Sequence, residues 1–201
     1  MTILDITLVI IGYLAGSINS AIIIARLVGL PDPRSQGSGN PGATNMLRVG
    51  GKKYAALTLV GDIIKGVIPV ALAHAMQASP LALALTVFAA FLGHLYPVFF
   101  RFKGGKGVAT AFGVLVAAAW PVGLAVVATW LAMAALVRIS SLSALVAALL
   151  APVYAYWWGP SRELVWVAAI MTVIIIWRHR SNIRNLLAGT EDKISPSQPD
   201  A

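Results

Sequence analysis

Long apolar runs, parted by short segments rich in Gly, Pro and basic residues, follow one another through nearly the whole chain. A helix needs roughly 20 apolar residues to cross a hydrocarbon core of about 30 Å. Several of the runs reach that length, and no soluble domain of 201 residues needs a sequence that is 59% hydrophobic and only 11% charged. The pattern specifies an integral membrane protein. The formal net charge of +8 could suggest nucleic acid, but the basic residues lie in clusters between apolar runs and form no amphipathic face. Membrane lipid and phosphorylated substrates are the expected partners, and nucleic acid is not.

The runs divide into seven expected crossings. The first covers residues 4–28; it lacks a basic flank and a cleavage site, so it reads as a span and not as a removable leader. The second covers 54–76 and carries Asp62 and Lys65, which share a helix face at a spacing of three and must pair or face a polar interior. The third covers 81–100. The run 108–137 is too long for one untilted crossing and short for two, and charge decides: turning at Trp120-Pro121 keeps the basic clusters on one side. The sixth and seventh cover 142–157 and 164–177. On this topology all of the 15 Lys and Arg except Lys65 and Arg162 fall at the inner face. The N-terminus is then outside and the C-terminus cytoplasmic. The expected fold is an all-α polytopic membrane protein, one domain over residues 1–193 with a disordered tail at 194–201.

Three polar clusters interrupt this pattern. Between 30 and 53 hydrophobicity collapses into an expected loop, where Ser38, Asn40, Thr44 and Asn45 crowd among Gly37, Gly39 and Gly42, with Arg48 beyond. Hydroxyl, amide and backbone donors at that density suit a polyol or a phosphate. The second cluster follows His94 and Pro97: Arg101, Lys103 and Lys106 stand among Gly104, Gly105 and Gly107, just before an apolar run restarts at Val108. Glycines let backbone N–H groups close around an oxyanion, lysines supply charge, and a helix N-terminus adds partial positive charge. Taken alone, such a cluster is more often only a cytoplasmic loop, and it is not a Walker A loop. The third cluster, Arg178, His179, Arg180, Asn182 and Arg184, reads alone as an anchor for anionic lipid. All three fall on one membrane face, which suits a reaction between two anionic substrates, one of them a lipid. A transporter for a phosphorylated solute is the rival from another class, since Asp62 and Lys65 would suit a pathway.

GSGNPGATN at 37–45 with Arg48, GHLYPVFFRFKGGKGVAT at 93–110, and HRSNI with GTEDK between 179 and 193 closely resemble the three motifs of the bacterial acyl-phosphate:glycerol-3-phosphate acyltransferase family, PlsY. The resemblance implies seven helices in the cytoplasmic (inner) membrane with the active site toward the cytoplasm. It implies transfer of a fatty acyl group from acyl phosphate to the sn-1 hydroxyl of glycerol 3-phosphate, giving lysophosphatidic acid and phosphate. By position it implies catalytic roles for Ser38, Arg48, Lys106, His179 and Asn182. Asn40, Thr44, Asn45, Lys103, Gly104, Gly105 and Gly107 are the expected substrate-binding residues, and Glu191 matches a structural carboxylate. One departure stands out: many relatives carry a basic residue where this chain has Asn185, with Arg184 one place earlier. An acyl phosphate is already activated, so neither a metal, a cofactor nor a covalent intermediate is expected, in keeping with the lack of cysteine.

Overall fold

The structure, a computed structural model, describes residues 1–194. These form ten α-helices and one 3-10 turn, with no strand among the described residues. In order they are α1 (Ile3–Gly16), α2 (Ser20–Leu27), α3 (Ala43–Gly50), α4 (Lys52–Ala75), α5 (Pro80–Leu95), the 3-10 turn Val98–Phe100, α6 (Val108–Ala118), α7 (Trp120–Val137), α8 (Ser140–Trp158), α9 (Arg162–Arg178) and α10 (Arg180–Leu187).

Local chemistry explains where the helices start. Thr2 and Asp5 form a reciprocal capping box at α1, Ser79 caps α5 ahead of Pro80, and Ser161 caps α9. The expected first span is in fact broken. Asn19 accepts a hydrogen bond from Ile22 N at 3.1 Å and so starts a new helix, and α1 and α2 meet at a bend of 43°. The expected loop after it contains a helix, α3, which buries Asn45 and Met46. Its single buried turn is too short to show as a periodic apolar pattern. At Trp120-Pro121 the chain breaks as expected: α6 ends, Ala119 is extended, and α7 packs back on α6.

Four segments are long and apolar enough to cross a membrane singly: α4, Pro80–Phe100, α7 and α8. The bent pairs α1–α2 and α9–α10, the latter at 60°, bring the number to as many as six. With 11 residues, α6 is about 16 Å long, half a hydrocarbon core.

The bundle is apolar on its outer surface as well as in its core, and a few hydroxyl residues are buried within it. Ile3, Ile10, Val60, Ile68, Leu149 and Val173 are exposed, while Thr58, Thr86, Thr110, Ser143 and Thr172 are buried. Small residues let the backbones approach. A Cβ on Gly16 would run into the Ala90 backbone, one on Gly93 into the Tyr13 carbonyl, and one on Gly113 into the Ile63 carbonyl. Gly16 and Gly93 close α1 on α5, and Gly113 closes α6 on α4. On α8 the buried residues Ala144, Ala147, Ala148, Ala151 and Ala155 make the equivalent surface. Ile194 N donates to Arg138 O at 2.7 Å, so the chain is held up to that residue. The remainder of the expected tail, 195–201, lies outside the described residues.

Gly16→Val should therefore push α1 off α5. Overpacking of this kind costs about 1–3 kcal/mol, to be read as a lower thermal midpoint of the detergent-solubilised protein. A wild-type midpoint would show that the contact is dispensable.

Candidate active site

The three polar clusters of the sequence line one cavity of ≈ 280 Å³. Its polar part is walled by Ser38, Asn40, Thr44 and Arg48 from the first cluster, Lys106 and Gly107 from the second, and His179 and Asn182 from the third. An apolar arm continues along Leu59, Ile63, Phe112, Val127, Trp130 and Leu131. Phe112 and Trp130 meet edge to face with ring centroids 6.2 Å apart. Leu59 and Leu131 are themselves exposed, so the apolar part of the cavity extends to residues on the outer surface of the bundle.

The first cluster is a braced turn. Asn45, 1% exposed, donates through Nδ2 to Pro33 O at 2.8 Å and to Gln36 O at 3.0 Å, and accepts from Ser38 N at 2.9 Å. Its side chain sets the path of the loop and with it the place of Ser38. Arg34 pairs with Asp32 at 2.6 Å and donates to Phe100 O at 3.2 Å, tying the loop to the 3-10 turn after α5. Thr44 and Ser140 hydroxyls lie 3.1 Å apart, and Arg48 pairs with Asp192 at 3.3 Å.

The glycine turn differs from the expectation. Gly104 N donates to Leu95 O and Gly105 N to His94 O, each at 3.2 Å. The Arg178 guanidinium donates to the Gly104 and Gly105 carbonyls at 3.0 and 2.8 Å. With their N–H groups engaged, these two glycines do not line the cavity, and neither does exposed Lys103. Their lack of side chains serves packing, since a Cβ on either would run into His94. The residues that line the cavity here are instead those at the start of α6, Gly107, Val108 and Ala109. The first N–H groups of a helix have no partner within it, and they carry the positive end of its dipole. Gly107 enters the helix at φ +89, a left-handed conformation that a side chain disfavours.

From the third cluster a relay of hydrogen bonds reaches Lys106. The Lys106 ammonium donates to Asn182 Oδ1; Asn182 Nδ2 donates to Glu191 Oε1 at 2.6 Å, and Ser141 Oγ donates to the same oxygen at 2.6 Å. Burial pushes Lys106 down to about 8, with Arg178 and Arg48 adding and Glu191 opposing. His179, 3% exposed, bonds through Nδ1 to Ile175 O at 2.8 Å. A carbonyl only accepts, so Nδ1 carries the proton and the lone pair is on Nε2. Burial pushes His179 down to about 4, helped by the Lys106 and Arg178 charges. Arg184 is exposed and lies away from the cavity. Sequence reading placed Arg178 in the third cluster and Asp192 in the GTEDK motif but gave neither a role at the site, since each reads there as a helix-end or tail charge.

The chain is similar to known proteins along nearly its whole length. The family profile described as "Glycerol-3-phosphate acyltransferase" matches residues 6–189. The glycerol-3-phosphate acyltransferase of Methylococcus capsulatus is 58% identical over 90% of this chain and 92% of its own. That of Hydrogenovibrio crunogenus is 57% identical over 94% and 90%. The crystal structure of PlsY, an integral membrane glycerol 3-phosphate acyltransferase, superposes with a TM-score of 0.90 in its glycerol 3-phosphate form. That form is 42% identical, and the match covers 95% of this chain and 96% of PlsY. In the lysophosphatidic acid form the values are 0.87, 41%, 94% and 94%. Profile, relatives and fold coincide over nearly the full chain, and this protein is an acyltransferase of the glycerol-3-phosphate acyltransferase (PlsY) family.

Proposed function

We propose that the protein transfers a fatty acyl group from acyl phosphate to the sn-1 hydroxyl of glycerol 3-phosphate, releasing lysophosphatidic acid and phosphate. The observation that carries this reading is the continuity of the cavity: a cationic, donor-rich pocket opens directly onto an apolar arm that extends to residues on the outer surface of the bundle. Such a shape fits two headgroup phosphates side by side, with an acyl chain laid between helices. The solved relative is described with glycerol 3-phosphate and with lysophosphatidic acid, a substrate and a product of this reaction.

In this reading Ser38 and Arg48 hold the acceptor phosphate, while Lys106 and the α6 N-terminus meet the donor phosphate and its carbonyl oxygen. Asn40 and Thr44 lie beside the acceptor, and Asn45 and Gly105 act through the loops they shape. Asn182 and Glu191 keep the Lys106 ammonium in place. The glycerol hydroxyl attacks the carbonyl carbon; its oxygen forms the new ester bond and the carbonyl carbon–phosphate oxygen bond breaks. A histidine held near pKa 4 is a weak proton acceptor at neutral pH, whereas phosphate takes up its second proton near about 6. The hydroxyl proton therefore goes to the departing phosphate. His179 Nε2 accepts a hydrogen bond from the other glycerol hydroxyl and so orients the attacking one. No covalent acyl-enzyme, metal or cofactor takes part.

The site faces the cytoplasm of a bacterial inner membrane in this proposal, with seven crossings once α6 is counted, the N-terminus outside and the C-terminus inside. The supporting feature is the charge asymmetry of the loops.

Purified protein given acyl phosphate and glycerol 3-phosphate should form lysophosphatidic acid without a membrane gradient; transport without product would overturn the proposal. Because Lys106 sits near 8 and below its ordinary value, it loses charge as pH rises through that point, and kcat/KM should fall there. Lys106→Arg, which stays charged, should abolish that alkaline limb even if overall activity drops. The chain has no native cysteine, so single Cys at Thr44 and Asn182 should react with an impermeant maleimide only from the cytoplasmic side; labelling from opposite sides sinks the topology.

A further inference from the structure

The buried ionisable groups of the bundle, Asp62, Lys65 and His94, have no part in the chemistry described above. Asp62 is 1% exposed, Lys65 5% and His94 3%. Lys65 Nζ lies 2.9 Å from Asp62 Oδ1 and 2.9 Å from His94 Nδ1, and donates to Ile18 O at 2.6 Å. The ammonium thus donates to an imidazole and to a carbonyl freed by the break between α1 and α2, and pairs by charge with the Asp62 carboxylate. An ammonium has donors only, so His94 Nδ1 accepts and the ring proton is on Nε2.

That orientation has a consequence at the glycine turn. Nε2 is the ring atom nearest to where a Gly105 side chain would begin, and the His94 carbonyl accepts the Gly105 N–H at 3.2 Å. One residue therefore fixes the turn twice, by its backbone and by its ring. Arg178 clamps the same turn from the other side through the Gly104 and Gly105 carbonyls. The same turn carries Lys106 and leads through Gly107 into the first residues of α6. Asp62 and His94 both border the cavity, so a shift in this set moves its wall.

Resting on the phosphate-site reading above, we propose that Asp62, Lys65 and His94 are positioning residues that hold the turn at 104–107, so that Lys106 and the α6 N-terminus converge on the substrate phosphate. Lys65 also cancels the Asp62 charge, which would otherwise repel that phosphate from the floor of the cavity.

The test uses the full chain in detergent, as wild type, Asp62→Asn, His94→Gln, Gly105→Ala and the double variant His94→Gln with Gly105→Ala. Misplacement of a binding group by about 1 Å is expected to raise the KM for acyl phosphate roughly ten- to a hundredfold with a smaller change in kcat. The concentration of inorganic phosphate that raises the thermal midpoint should climb in parallel. Since His94 and Gly105 act through one contact, the double variant should be no worse than the poorer single one. A merely structural role would lower the yield and midpoint while leaving the KM and phosphate response of the folded fraction unchanged, and that result overturns the proposal. Additive effects in the double variant, or failure of both Asp62→Asn and His94→Gln to fold, overturn it as well. If wild type makes no lysophosphatidic acid from acyl phosphate, the donor reading fails separately, and the phosphate response still decides the positioning role.

Discussion

Everything near the site hangs on the way one ammonium is satisfied in the middle of a lipid-facing bundle. An unpaired charge there costs about 2.5–3.5 kcal/mol on insertion scales, and removing one partner of a buried pair costs roughly 3–5 kcal/mol. Lys65 therefore demands partners, and it finds them on three different elements: carbonyl and imidazole acceptors at Ile18 by the α1–α2 break and at His94 near the end of α5, and the opposite charge of Asp62 on its own helix. The break in the first span is part of the same solution. Where the helix stops, Ile18 offers a carbonyl without a partner in the helix, and Asn19 restarts the hydrogen-bond ladder.

From that centre the glycine turn and α6 follow by steric exclusion. Gly16 and Gly93 bring α1 against α5, and Gly104 and Gly105 bring the turn against His94 and Pro97. Gly113 brings α6 against α4. Each contact would be closed by one methyl group. Close approach of backbones replaces the hydrophobic drive that lipid cannot supply between helices. The result is a half-length helix whose N-terminus opens on the cavity beside Lys106.

The electrostatics of the cavity combine attraction with restraint. Lys106 and Arg48 meet Glu191 and Asp192 from the chain after α10, and these carboxylates stop the cations from repelling one another in the absence of substrate. Glu191 accepts from both Ser141 and Asn182, so α8, α10 and the residues after α10 are locked together at one carboxylate oxygen. Neutral His179 adds an acceptor without adding charge.

Much of this was legible in the residues. Apolar run lengths specify helices because a bilayer leaves backbone groups no other partner, and the Trp120-Pro121 break follows once the basic clusters are kept on one side of the membrane. The three polar clusters stood out because polar residues concentrate in an otherwise apolar chain only where something polar is to be held; within them the resemblance to the family picked out Ser38, Arg48, Lys106, His179 and Asn182, and all five line the cavity. Other features depend on what lies opposite each residue in space. Nothing local reveals that Asn45 braces a loop, that Arg178 clamps the glycine carbonyls, or that Asp192 meets Arg48. Nor does any local signal show that Gly104 and Gly105 spend their N–H groups on α5. Sequence alone determined the class of fold and the chemistry available to it, since both depend on residue types and run lengths. Only the tertiary structure decided which donors face the substrate and which are consumed in holding the others still, because a hydrogen bond made between distant segments leaves no mark on either one.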